Sequence, residues 1–212
     1  MALLTGKEVA AAALKVVDQD GLEAISMRRI GDALGVSAMS LYHYFPSKDA
    51  LLDAVFQAVL VELPPLRRGG GWKAMVRWRA LEFRVTLARH PKAISLFATR
   101  PAATLASLER VEEMLAMLRH AGFSARNALS LFQIVLAFVV GHTMSSLAEP
   151  TNVPDYAKLD AEKFSSLRAV AAIESYDVDD EFELGVSAIV NGFPSPSGRR
   201  ARVSPSPRQI RR

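Results

Sequence analysis

Residues 128–148, ALSLFQIVLAFVVGHTMSSLA, are 21 positions without an acidic or basic side chain. No other feature constrains the fold as much, because a helix apolar around most of its circumference has to be buried in something. The run is long enough for a bilayer. Against that, Ser130, Gln133, His142, Thr143, Ser145 and Ser146 interrupt it and Gly141 sits inside. The expectation is a helix fully buried in the protein or placed at a subunit interface, where a charge at Val135 or Val139 would dissociate or unfold the protein, and not a membrane span.

The remaining chain reads as helices joined by short breaks. Val9, Leu14 and Val17 recur at helical spacing, with Thr5 and Glu8 placed for a capping box and Gly21 as the stop. Ser26 can cap a second helix carrying Met27, Ile30 and Leu34, which Gly35 closes. Ser37 caps a third helix running to about residue 45, and Ser47 lies at the start of a long fourth. The cluster LPPLRRGGGW then separates two units. Beyond it the period predicts helices over about 72–90, 92–98, 102–121, 124–150, 161–173 and 179–191. The fold class is all-α: an N-terminal three-helix unit over 1–50, a connecting helix and linker over 51–71, a larger helical unit over 72–193, and a disordered tail over 194–212. Pro, Ser, Gly and Arg dominate that tail and cannot bury enough apolar surface to offset ordering.

Charge has to be located before it is interpreted. The net charge is +4 and the pI about 9.6. Six arginines lie beyond Pro194 with no acid among them, and removing them turns +4 into −2. Bulk charge therefore gives residues 1–50 no claim on DNA, and placement must carry any such reading. Residues 67–92 hold eight Lys or Arg against one Glu, a pattern that a solvated helix face explains. Cysteine is absent, so disulfides and thiolate metal sites are excluded. The N-terminus shows no secretion signal, and a cytoplasmic chain is expected. No paired carboxylates, Ser/His/Asp set or metal-ligand cluster occurs at usable spacing, so neither catalysis nor a cofactor is expected.

The stretch GVSAMSLYHYF, residues 35–45, places four rings side by side. At 100° per residue, with Leu41 pointing inward, Phe45 follows it, while Met39 and His43 point away and Ser40 and Tyr42 flank them. Tyr44 falls nearer the buried side. Two short helices joined by Gly35-Val36-Ser37 have the layout of a helix-turn-helix, whose second helix enters a major groove. An ordinary helical hairpin with an aromatic surface has the same spacing. On the DNA reading Met39, Ser40 and His43 face base edges. Tyr42, Lys48 and the backbone N–H groups at Ser47 and Lys48 face phosphate.

Residues 5–52, above all AISMRRIGDALGVSAMSLYHYFPSKDALLDAV, resemble the DNA-binding domain of the TetR family of bacterial transcriptional regulators. The resemblance implies a DNA-binding homodimer with Ser26, Arg28, Ser37, Met39, Ser40, Tyr42, His43, Tyr44 and Lys48 as its candidate contacts. ALEFRVTLARHPKAISLFATRP, GFSARNALSL and EFELGVSAIVNG are similar to the ligand-binding and dimerisation core of the tetracycline-repressor branch. This implies a four-helix bundle between subunits, made by residues 124–148 and 179–191. It also implies a repressor of a palindromic double-stranded operator, released by a small effector.

The branch's magnesium–drug ligands do not carry over. Arg79, Leu96 and Ser145 stand at the matching places, loop lengths leave the Gln position unassigned, and His90 matches no ligand. The expectation is an apolar pocket without metal, lined by Phe83, Leu87, Phe97, Met114, Leu118, Gln133 and Phe138, for a hydrophobic effector.

Overall fold

The structure, a computed structural model, describes residues 4–67, 69–148 and 154–196, all of them helical or irregular with no strand. Most of the tail, residues 197–212, lies outside them, as does the break at 149–153. Helix α1 (Gly6–Asp20) opens on the Thr5/Glu8 capping box and stops at Gly21, whose φ of 88° suits glycine. After one 3₁₀ turn come α2 (Met27–Leu34), capped by Ser26, and α3 (Ala38–Leu41), capped by Ser37. Helix α4 (Lys48–Val61) starts from Ser47.

The second unit comprises α5 (Gly71–Arg89), α6 (Ile94–Thr99), α7 (Leu105–His120), α8 (Ala125–Ser146), α9 (Ser165–Ala171) and α10 (Val178–Gly192). Thr104, Ser124 and Asp177 cap α7, α8 and α10.

Several expected helices are shorter than the sequence suggests, α7 beginning at Leu105 and α8 ending at Ser146 among them. α3 ends at Leu41, and the chain leaves it through a tight turn in which the Tyr44 and Phe45 N–H groups both donate to the Leu41 carbonyl at 2.9 Å. Pro46 keeps the turn from extending into a longer helix, since it has no N–H to donate and drives Phe45 before it out of the helical region. α9 covers only part of the expected 161–173.

The N-terminal unit is built around Val9, Val17, Ile25, Ile30, Leu41, Leu51 and Val55, all almost inaccessible to solvent. A close approach sets the angle between α2 and α3. A Cβ at Gly31 would lie 2.7 Å from the Val36 carbonyl oxygen and 3.2 Å from the Ala38 nitrogen, so only glycine lets the two helices meet there.

Helix α4 belongs to both units, packing on α1 of the first and on α6 and α7 of the second. Polar links reinforce the junction. His90 lies between two carboxylates, Nδ1 at 3.0 Å from Asp18 of α1 and Nε2 at 3.1 Å from Glu62. Lys92 Nζ donates to the Gln19 carbonyl at 2.5 Å. The basic run at 67–92 is therefore only partly a solvated face. Lys73 and Arg77 also reach Asn191, and Arg84 reaches Asp179, joining α5 to α10.

Helix α8, the charge-free run, meets the membrane criterion of length and composition but packs against α5, α6, α7 and α10. Val135 and Val139, where a charge is expected to dissociate or unfold the protein, lie inside the core of this one subunit. The large apolar residues left uncovered on α8 are Leu129, Ile134 and Met144, with Leu147 just past its end, and Leu184 of α10 is 71% exposed. The difference is one of helix phase: Ile134 and Val135 are 100° apart, and the period alone does not say which of them faces the protomer's own core.

Candidate functional site

The helix-turn-helix presents Arg28, Met39, Tyr42, His43 and Lys48 to solvent, with Met39 73% and Tyr42 49% exposed. An exposed methionine and tyrosine on one short element are not demanded by packing. Three serines expected among the contacts also have local tasks. Ser26 Oγ accepts from the Arg29 N–H and Ser37 Oγ from the Ser40 N–H, and the Ser37 and Ser40 hydroxyls are 2.9 Å apart. Ser40 is half-buried and sits on the flank of the exposed ridge.

Tyr44 is placed differently from the other candidates. Its ring packs on the core and its hydroxyl donates to the Leu4 carbonyl at 2.6 Å, which ties the segment before α1 to the end of the helix-turn-helix. The ring run thus divides: Tyr44 and Phe45 are held by the scaffold, and Tyr42 and His43 are offered outward. At the start of α4 the Ala50 N–H donates to Ser47 Oγ at 3.1 Å, and Lys48, the first residue of the helix, is exposed.

A cavity of about 530 Å³ lies in the second unit, within the ~300–1,000 Å³ range of small-molecule sites. Phe56 and Leu60 come from α4, Arg79 and Phe83 from α5, Phe97 from α6, Arg110, Val111 and Met114 from α7, and Phe132, Gln133 and Leu136 from α8. The aromatic wall is continuous: Phe56 stacks on Phe97 at 4.5 Å between centroids, and Phe83 meets Phe97 edge-on at 5.3 Å.

Four expected pocket residues, Phe83, Phe97, Met114 and Gln133, line this cavity. Leu87 and Leu118, one helical turn beyond Phe83 and Met114, are instead solid core with no accessible surface. Phe138 points away, stacking on Phe182 and lying beside His142 at the α8–α10 contact. Phe132, Val135, Leu136 and Val139 hold the cavity side of α8 at spacings of three and four, and Phe138 is off that face.

Arg79 is the cavity's unusual group. Its Nη1 is buried and has no hydrogen-bond partner among the described residues. Burial is the main influence holding its pKa below the usual arginine range, with Arg110 acting the same way and Glu113 and Glu82 opposing. The cavity does not suit a chelated divalent cation. Arg79 already supplies positive charge, Leu96 is buried core, and among the described residues no three His, Asp or Glu side chains cluster to hold a metal.

The helix-turn-helix runs on through α4 into a helical core that holds a cavity. The chain belongs to the TetR family of bacterial regulatory proteins: residues 9–55 match the family's N-terminal domain, and residues 64–195 match the tetracyclin repressor-like C-terminal domain.

Among relatives, the HTH-type transcriptional repressor DrrR1 of Streptomyces coeruleorubidus is 34% identical over 146 residues, 68% of this chain but only 54% of that protein. The class A tetracycline repressor protein from transposon 1721 of Escherichia coli is 30% identical over 202 residues, covering 91% of this chain and 92% of the repressor. The TetR family protein ActR of Streptomyces coelicolor, solved in complex with actinorhodin, superposes with a TM-score of 0.77 at 27% identity, covering 91% of this chain and 97% of that one.

Proposed function

We propose that the protein is an effector-controlled transcriptional repressor and not an enzyme, acting in the cytoplasm as a homodimer. Residues 1–50 read one half of a palindromic operator, 51–71 transmit, and 72–193 bind the effector and dimerise. Met39, Ser40 and His43 face base edges, and Tyr42, Arg28 and Lys48 hold phosphates. The uncovered apolar faces of α8 and α10 pair with their copies in the second subunit, in a bundle that holds two recognition helices at successive major grooves, ~34–36 Å apart.

The observation that carries this reading is the span of α4. Its first residue, Lys48, stands beside the recognition helix, and two turns later its Phe56 lines the cavity. An effector that fits the cavity better when α4 is displaced would favour dimers whose recognition helices no longer match the DNA, a population shift set by its differential affinity. ActR bound to actinorhodin and the repressor role of DrrR1 support such a mechanism here.

The test uses a duplex selected from random DNA by the full-length dimer. Compounds that displace the neutral fluorophore N-phenyl-1-naphthylamine from the protein are added to that complex. A compound occupying the cavity should weaken DNA binding about 5- to 150-fold, the usual span of such coupling. Displacing compounds that leave DNA affinity unchanged would contradict the effector mechanism.

A further inference from the structure

The cavity wall contains three arginines, Arg79, Arg100 and Arg110, and no carboxylate. Two of them are already neutralised from outside it. Arg100 pairs with Asp49 and Asp53 of α4, and Arg110 with Glu113 at 3.2 Å. Arg79 has no carboxylate within ion-pair distance among the described residues, although the charges of Glu113 and Glu82 reach it from farther away.

We propose that the effector is an aromatic molecule carrying an anionic oxygen group, and that Arg79 is the residue that selects for that charge. This rests on the effector-cavity reading above. A guanidinium presents a planar fork of donors, and charge-assisted bonds to an anionic oxygen are about twice as strong as neutral ones. A guanidinium in the wall without a carboxylate partner gains no such bond from an uncharged apolar ligand, so the site discriminates against neutral molecules of the same shape. The stacked Phe56 and Phe97, with Phe83 edge-on, supply a wall for the aromatic body.

Two probes of nearly one shape separate charge from apolar fit: anionic 1-anilinonaphthalene-8-sulfonate and neutral N-phenyl-1-naphthylamine. Both are titrated by fluorescence into the full-length dimer and into Arg79→Gln, Arg79→Lys and Leu136→Trp, with circular dichroism confirming the fold. Wild type should bind the sulfonate at least ~10-fold more tightly than the neutral probe, and Arg79→Gln should remove that advantage while changing neutral-probe binding less than ~2-fold. Arg79→Lys should restore part of it, and Leu136→Trp, which fills the cavity, should weaken both probes.

Equal sulfonate binding by wild type and Arg79→Gln, with neutral-probe binding still lost in Leu136→Trp, would overturn the charge assignment and leave the effector cavity standing. If neither probe binds wild type, or if both survive Leu136→Trp, the cavity reading falls and takes the charge assignment with it.

Discussion

Arg100 Nη1 lies 2.6 Å from Asp53 Oδ1, so a residue in the wall of the cavity grips the helix that begins beside the DNA-reading surface. The same guanidinium also pairs with Asp49, one residue into α4 from Lys48. Burial alone would lower the Arg100 pKa, but the hydrogen bonds and charges of Asp53 and Asp49 together raise it above the usual arginine range. The pair is a direct route by which occupancy of the cavity can be felt at α4.

Replacing Arg100 by Met should therefore separate binding from response. The variant should bind the naphthalene probes within a few-fold of wild type, while the loss of DNA affinity on effector binding shrinks by about 1–2 kcal/mol, a typical coupling energy. DNA titrations with and without a probe-displacing compound measure this. Full retention of coupling would show that the signal bypasses the Arg100–Asp53 contact.

Gly31→Ala should loosen the helix-turn-helix without touching the core. The added methyl meets backbone atoms that cannot swing aside, and overpacking of this kind costs about 1–3 kcal/mol. Operator binding should fall while sedimentation still shows a dimer. Unchanged DNA affinity would mean that α2 and α3 part without cost.

The three rings in the turn after α3, with Lys48 beyond them, should give three different phenotypes. Lys48→Ala should weaken binding to every sequence and lower the salt slope by about 1, and Tyr42→Ala should likewise act regardless of sequence. His43→Ala should cost about 1–3 kcal/mol of discrimination at one base pair. Tyr44→Phe, which removes the bond to Leu4, should cost about 1 kcal/mol of stability and leave base preference alone. Repeating the selection with each variant decides; a shifted site for Tyr44→Phe would return that residue to the DNA surface.

Charge on α8 should act according to phase. Ile134→Glu and Leu184→Glu lie on the uncovered face and should yield folded monomers by sedimentation. Val139→Glu places an unpaired charge in a site with no accessible surface, and should unfold the protein instead. A folded dimer from Leu184→Glu would remove α10 from the subunit contact.

What the sequence could reveal followed the range of each interaction. Caps are local, so Thr5, Ser26, Ser37 and Ser124 marked their helices. The outward ridge of Met39, Tyr42 and His43 was legible because one well-placed core residue, Leu41, fixed the phase. Phe138, Leu87 and Leu118 do not line the cavity, because apolar periodicity does not separate a cavity wall from solid core. Partners distant in the chain left no local signal, as with Arg100 and Asp53, or His90 between Asp18 and Glu62. Arg79 stood out only as a misfit to metal chemistry; its half-buried place in the apolar cavity wall appears only when the helices are brought together.

Selection of bound sequences from a random pool of DNA duplexes by the full-length dimer tests the central claim most directly. An inverted repeat should be enriched, with half-sites centred about one helical turn or a multiple of it apart, bound at roughly 10⁻⁸–10⁻¹¹ M at physiological salt. That affinity should drop in Tyr42→Ala. The absence of any enriched sequence, or enrichment of a site without two-fold symmetry, would contradict the account of a dimer that reads DNA through α3.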